Sequence, residues 1–107
     1  IKKFSEDQKF NISIIKSDVF LYIKKIKTEF DIIFADPPYN LDDTKYLTMI
    51  NEIFKKNCLK SDGYLIIEHS SKKVFNKIQY FNKSKKYGDS TFSFFTKLNN
   101  WLSVYYL

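Results

Sequence analysis

The sequence predicts an α/β fold: a mostly parallel sheet flanked by helices and finished by an antiparallel hairpin. Three observations predict it. Short apolar, β-branched runs recur at ISIIK (12–16), DIIFA (31–35) and YLIIEHS (64–70). Between them the apolar residues change to the spacing of a helix face. Two further runs of strand character, 79–87 and 90–96, meet at Gly88-Asp89, a hairpin signal. Strands alternating with helices build a parallel sheet, and such sheets bind ligands beyond the carboxyl ends of their strands.

Each element follows in order. ISIIK reads as a short buried strand that closes at Ser17-Asp18. From Asp18, which can cap a helix start, Val19, Phe20, Ile23 and Ile26 form one helical face, with Lys24, Lys25 and Lys27 on the other. DIIFA is a second strand, stopped by Pro37 and Pro38 because neither has an N–H to give a ladder. After a polar loop at 40–43, Thr44 is the expected cap of a helix ending near Asn57. Its Tyr46, Leu47, Ile50, Ile53 and Phe54 share a face. Ser61-Asp62-Gly63 reads as a turn, YLIIEHS as the third strand, and 71–78 as a short helix before the hairpin. The tail KLNNWLSVYYL has no clear period, and there is no internal repeat or linker. Asp18, Asp36–Tyr39 and Glu68–Ser70 thus collect on one edge of the sheet.

Composition narrows the function classes. The 107 residues are enough for one domain, and 44% hydrophobic with 19% aromatic residues supplies a packed core. No apolar run approaches the about 18–20 residues of a membrane span, and no signal peptide is visible. Cys58, the single cysteine, reads as a core or helix-end thiol in a reducing, cytoplasmic compartment. His69, the single histidine, makes neither a metal site nor a triad, so a structural or supporting role is expected and no metal. The net charge is +6, carried entirely by lysine, and it is unevenly spread. Residues 1–68 hold eleven Lys against eleven Asp or Glu, whereas 69–107 hold seven Lys against Asp89 alone. Such a cluster is an electrostatic footprint for a polyanion. Lys72, Lys73, Lys77, Lys83, Lys85 and Lys86, with Tyr80, Phe81 and Tyr87 between them, suit phosphates and stacked bases.

The stretch Asp36-Pro37-Pro38-Tyr39 is a chemical device. Two locked φ angles hold the Asp36 carboxylate and the following carbonyl oxygens in a fixed arc where acceptors outnumber donors. Tyr39 adds a planar face. An aromatic NH2 is a poor nucleophile because its lone pair is delocalised into the ring. Accepting both its hydrogens, one on Asp36 and one on the Pro37 carbonyl, favours a tetrahedral nitrogen and frees that pair. Stacking on Tyr39 holds the base still, worth about 1–3 kcal/mol.

DIIFADPPYN resembles motif IV of the class I S-adenosylmethionine-dependent methyltransferases that act on exocyclic amines. Taken with SDVFLYI, GYLIIEHS and KYGDSTFSFF, it resembles the RsmD family, the 16S rRNA guanine-N2 methyltransferases of the bacterial small subunit. The resemblance runs from residue 1 to about 95. It implies a Rossmann-like class I methyltransferase sheet in which Asp36, Pro37, Pro38 and Tyr39 hold and activate the guanine amine. Asp18, with the Val19 backbone, would meet the adenine of S-adenosylmethionine. The partner implied is 16S rRNA or the small ribosomal subunit.

One part of that family pattern is missing. Its members bind the cofactor through a glycine-rich loop after the first strand, and this chain has only Gly63 and Gly88, neither in such a loop. The chain opens at Ile1 on what reads as the latter part of a helix. The expectation is therefore the C-terminal part of a methyltransferase domain over 1–96, lacking the first two strands, with an extension over 97–107. Little or no methyl transfer is expected of it unaided, and a monomer once it is completed. ISIIK would lose its neighbours, leaving three outcomes: an unstable fragment, direct pairing of ISIIK with DIIFA, or dependence on the missing half. Two rivals stand beside this reading. A permuted DNA amino-methyltransferase shares FADPPYNL, but only about 23 residues separate Asn40 from the next buried strand, too few for a target-recognition region. A non-enzymatic remnant would hold RNA without S-adenosylmethionine.

Overall fold

The computed structural model describes residues 12–15, 28–38 and 40–97. Its elements are β1 (Ile12–Ile15), β2 (Phe30–Ala35), α1 (Asp43–Lys55), β3 (Leu59–Ser70), β4 (Phe81–Tyr87) and β5 (Ser90–Phe95). The strands form one sheet in the order β1-β2-β3-β5-β4. The first three are parallel, and β5 and β4 continue it antiparallel, as the alternation and the hairpin signal require. ISIIK pairs directly with DIIFA, so of the three outcomes left open for that strand the sheet adopts direct pairing. Ile15, Ala35 and Ile67 stand level, which puts the carboxyl ends of β1, β2 and β3 on one edge.

The core lies on one face of this sheet. Strand alternation turns Ile33 and Ala35 of β2, Leu65 and Ile67 of β3, and Phe95 of β5 into it, and α1 closes over them. The helix contributes Tyr46, Met49, Ile50, Ile53 and Phe54, the i, i+3, i+4, i+7, i+8 stripe of an amphipathic helix. Met49 belongs to that stripe and Leu47 does not; Leu47 is 41% exposed. Each such burial stabilises by roughly 1.5–3 kcal/mol before entropy is counted. The N-cap is Asp42 rather than Thr44. Its extended backbone lets the carboxylate accept from the Lys45 N–H at 2.9 Å, two residues earlier than the expected cap. The helix ends at Lys56, and Asn57 follows in the left-handed conformation at φ 55°. Cys58 is buried just beyond, and burial pushes its thiol pKa up, as befits an inert core thiol.

Two local readings change. Ser61-Asp62-Gly63 is not a free turn but part of β3. Leu59 pairs with Phe30 and Tyr64 with Ile32, so residues 60–63 bulge opposite Asp31 alone. Gly63 permits this: a Cβ there would sit 2.8 Å from the Asp31 carbonyl oxygen. Residues 71–80 form successive turns instead of a helix, with the Lys73 N–H on Ser70 O, Ile78 on Phe75 O and Phe81 on Ile78 O. Tertiary anchors override the helical spacing there. Phe75 is 4% exposed and wedged against Tyr46, His69 and Phe95. Tyr80, at φ 74°, stacks on Phe54 with centroids 4.3 Å apart and accepts the Thr96 N–H at 2.8 Å. The hairpin turns at Gly88, φ 62°, as the sequence indicates.

Candidate functional site

The site begins where β2 stops. Pro37 is buried and anchors the corner, Pro38 is exposed, and Asp36 is half-buried between them and the sheet. The Pro38 carbonyl is taken by the Leu41 N–H at 3.1 Å, which closes a turn and leads into the Asp42 cap. Among the described residues neither the Asp36 carboxylate nor the Pro37 carbonyl has a hydrogen-bond partner. No donor among the described residues occupies those two acceptors. Ala35 pairs with Ile67, so Asp36 adjoins Glu68 at the strand ends. Tyr39, Asp18 and Val19 lie outside the described residues.

Beside this corner the end of β3 carries a hydrogen-bonded group that the sequence conceals. His69 is 1% exposed. Its Nδ1 lies 2.8 Å from the Ser70 carbonyl, which can only accept, so Nδ1 carries the proton. Nε2 lies 2.7 Å from Ser93 Oγ. Burial, foremost, and the Lys73 charge lower the His69 pKa, against the raising effect of its bond to Ser70. The ring is neutral near pH 7, and Nε2 accepts from the Ser93 hydroxyl. Ser71 donates to the Gly88 carbonyl at 3.0 Å and thus accepts from Thr91 Oγ1 at 2.8 Å. These bonds tie the loop after β3 to the hairpin. His69 is structural, as expected of a lone histidine.

Between that loop and the hairpin lies a cleft of about 200 Å³, with Lys73, Asn76, Ser84 and Lys86 at its walls and His69 at its base. A more open depression of about 450 Å³, lined by Asp43, Ser70, Lys72, Lys73 and Val74, adjoins it on the side of the Asp36 corner. The hairpin register divides the lysine cluster that composition treats as one surface. Lys83 and Lys85 oppose Phe94 and Phe92 and share their face with Tyr87, whose ring lies 5.7 Å from Phe92. Ser84 and Lys86 oppose Ser93 and Thr91 on the cleft side. Lys73 is bound to Asp43 at 2.6 Å, while Lys72 and Lys77 are exposed on the loop. Counting back from the Gly88-Asp89 turn in FNKSKKY is the signal that could have separated the two faces.

A cofactor cradle is not built by the described residues. Gly63 is committed to the β3 bulge and Gly88 to the hairpin turn, and neither follows a strand into a helix. They do not fit S-adenosylmethionine on their own. Among the described residues no group of three or more His, Cys, Asp or Glu could hold a metal ion. No helix among them is long and apolar enough to cross a membrane.

A family model described as "Conserved hypothetical protein 95" matches residues 1–96. The chain belongs to this family, the RsmD family. Ribosomal RNA small subunit methyltransferase D of Buchnera aphidicola is 32% identical to this RsmD-family chain over 72 residues, which are 66% of the chain and 37% of that relative. A conserved hypothetical protein of Streptococcus pyogenes has a similar structure, with TM-score 0.63 and 24% identity over 75% of this chain and 51% of the other. A putative methylase from Haemophilus influenzae gives TM-score 0.56 and 19% identity over the same 75% and 51%. The rRNA methyltransferase AviRa of Streptomyces viridochromogenes gives 0.59 and 14% over 77% and 37%. These likenesses show the fold, an α/β sheet of the Rossmann-like methyltransferase kind. The RsmD-family chain spans little more than a third of its curated relative and about half of the first two structures.

Proposed function

We propose that this RsmD-family chain is the base-holding part of a methyltransferase that acts on the exocyclic amine of a guanine in small-subunit rRNA, in the cytoplasm. One observation carries the reading: at the carboxyl end of β2, neither the Asp36 carboxylate nor the Pro37 carbonyl has a hydrogen-bond partner among the described residues. The N2 amine of guanine has two hydrogens for these two acceptors, and Tyr39 is the proposed stacking surface. Accepting both hydrogens turns the nitrogen lone pair out of the ring plane, and the proline corner fixes the direction in which it points. S-adenosylmethionine is the proposed methyl donor, with Asp18 and Val19 against its adenine. When bound it supplies an electrophilic methyl on a sulfonium, so no strong base is required of the protein. The family membership and the name of the Buchnera relative support an rRNA substrate. Against the permuted DNA enzyme, α1 with its caps fills residues 42–56 and leaves no room for a target-recognition region.

The test is binding of short single-stranded RNAs that differ only in guanosine against inosine, which lacks the 2-amine. The folded chain is expected to prefer guanosine by roughly 10–100-fold, the worth of a hydrogen bond to a charged group. Asp36→Ala should abolish the preference while leaving the circular dichroism spectrum unchanged. Equal affinity for both RNAs in the wild-type chain would overturn the base clamp. Titration of S-adenosylmethionine into the same chain then shows whether a cofactor site survives without a glycine-rich loop; binding would favour a methyltransferase over a remnant that holds RNA alone.

A further inference from the structure

We infer that the cleft between the 71–76 loop and the β4–β5 hairpin is a subsite for the sugar-phosphate backbone of the RNA beside the target nucleotide, with Lys86 and Ser84 as its principal donors. The inference rests on the rRNA reading above and adds where the strand runs and which lysines it meets.

Three features of the cleft select this ligand. Its size comes first. About 200 Å³ lies below the roughly 300–1,000 Å³ of pockets that enclose a free small molecule. A half-open recess of that size suits one group presented by a larger polymer. Its donor balance comes second. No Asp or Glu lines the cleft, and its internal hydroxyls are already oriented. Ser93 gives its proton to His69, Thr91 to Ser71, and Ser71 to the Gly88 carbonyl. Lys73 is committed to Asp43. What remains to face a ligand is the Lys86 ammonium, the Ser84 hydroxyl and the Asn76 amide, none with a hydrogen bond to another described residue. One cation with two neutral polar groups fits a phosphodiester and its ribose.

Position is the third feature. The cleft and the neighbouring depression share Lys73 and Val74, and the depression reaches Asp43 at the start of α1, just after the proline corner. From β2 to β4 the path crosses three strand spacings, roughly 14 Å. That is too far for the target base itself and within reach of a flanking nucleotide on the same strand. Lys83, Lys85 and Tyr87, on the other face of the hairpin, are off this path.

The experiment measures affinity of the whole chain for a short fluorescein-labelled single-stranded RNA over a range of potassium chloride concentrations. Lys86→Ala is expected to weaken binding roughly 3–10-fold and to lower the log–log salt slope by about 0.7, the loss of one phosphate contact on a single strand. Ser84→Glu, which sets a carboxylate in the cleft, should weaken it further. Lys85→Ala, one residue away but on the opposite face, should leave the slope unchanged. Matched effects of Lys86→Ala and Lys85→Ala would overturn the subsite, as would undiminished binding by Ser84→Glu or a folded wild-type chain with no affinity for RNA. The Lys86 effect should be equal for guanosine and inosine RNAs, because the cleft meets backbone and not base. A Lys86 effect confined to guanosine RNA would assign the cleft to the base clamp and overturn it as a separate subsite. If instead the guanosine preference is absent while the Lys86 slope change persists, the amine clamp fails and the backbone subsite stands.

Discussion

Two connections leave the same edge of the sheet, and they are held in different ways. The Asp36-Pro37-Pro38 corner after β2 owes its shape to covalent geometry: two prolines fix φ, the Leu41 N–H bonds the Pro38 carbonyl, and Asp42 starts the helix. The 71–80 segment after β3 has no such internal stiffness. It is shaped by what it touches, with Phe75 wedged against Tyr46, His69 and Phe95, and Tyr80 held in a left-handed conformation on Phe54. A site that needs a fixed acceptor pair lies on the first, and a surface fitted around a polymer lies on the second. Rigidity written into the chain survives loss of neighbours, whereas rigidity borrowed from packing does not.

Variants of the two connections test that contrast. The largest effect is expected from Phe75→Ala, which removes the anchor of the packed segment. It should cost about 3–5 kcal/mol in urea denaturation, and amide exchange over 71–80 should rise while that of Leu41, whose N–H is held by the Pro38 carbonyl, stays unchanged. A uniform rise over both segments would break the comparison. Next comes pH. Burial lowers the folded pKa of His69 below its ordinary value of 6.5, so below that value the unfolded chain binds a proton that the native chain resists. Its contribution to stability is full above pH about 6.5 and declines as pH falls toward the lowered native value. Denaturation midpoints at descending pH check this, with His69→Gln expected to flatten the profile. The smallest effect is expected from Pro38→Ala, an exposed substitution that should change stability by less than about 1 kcal/mol. Its consequence should instead be a reduced guanosine-over-inosine preference, because the corner loses one of its two locks. A large loss of stability would show that the corner too depends on packing.

Much of the site is legible in the amino-acid sequence. The proline pair names the corner because proline's geometry is local, and the hairpin follows from Gly88-Asp89 for the same reason. The helix stripe is legible except at its edge, where Met49 takes the place of Leu47, since periodicity fixes a face but not its margin. The cleft is not legible. Its walls come from β3, the 71–76 loop and both hairpin strands, and no spacing in the sequence connects His69 to Ser93. The lysine cluster is visible as charge, but charge has no side.

The sequence by itself determined the strand–helix alternation, the chemistry of Asp36-Pro37-Pro38 and the excess of positive charge after residue 68. These depend on bond geometry, period and composition. Only the tertiary structure decided that β1 pairs with β2, that residues 60–63 bulge within β3, that 71–80 is not a helix, and that Lys86 and Lys85 face apart. Each of those depends on contacts between residues far apart in the chain, and such contacts exist only once the sheet has closed.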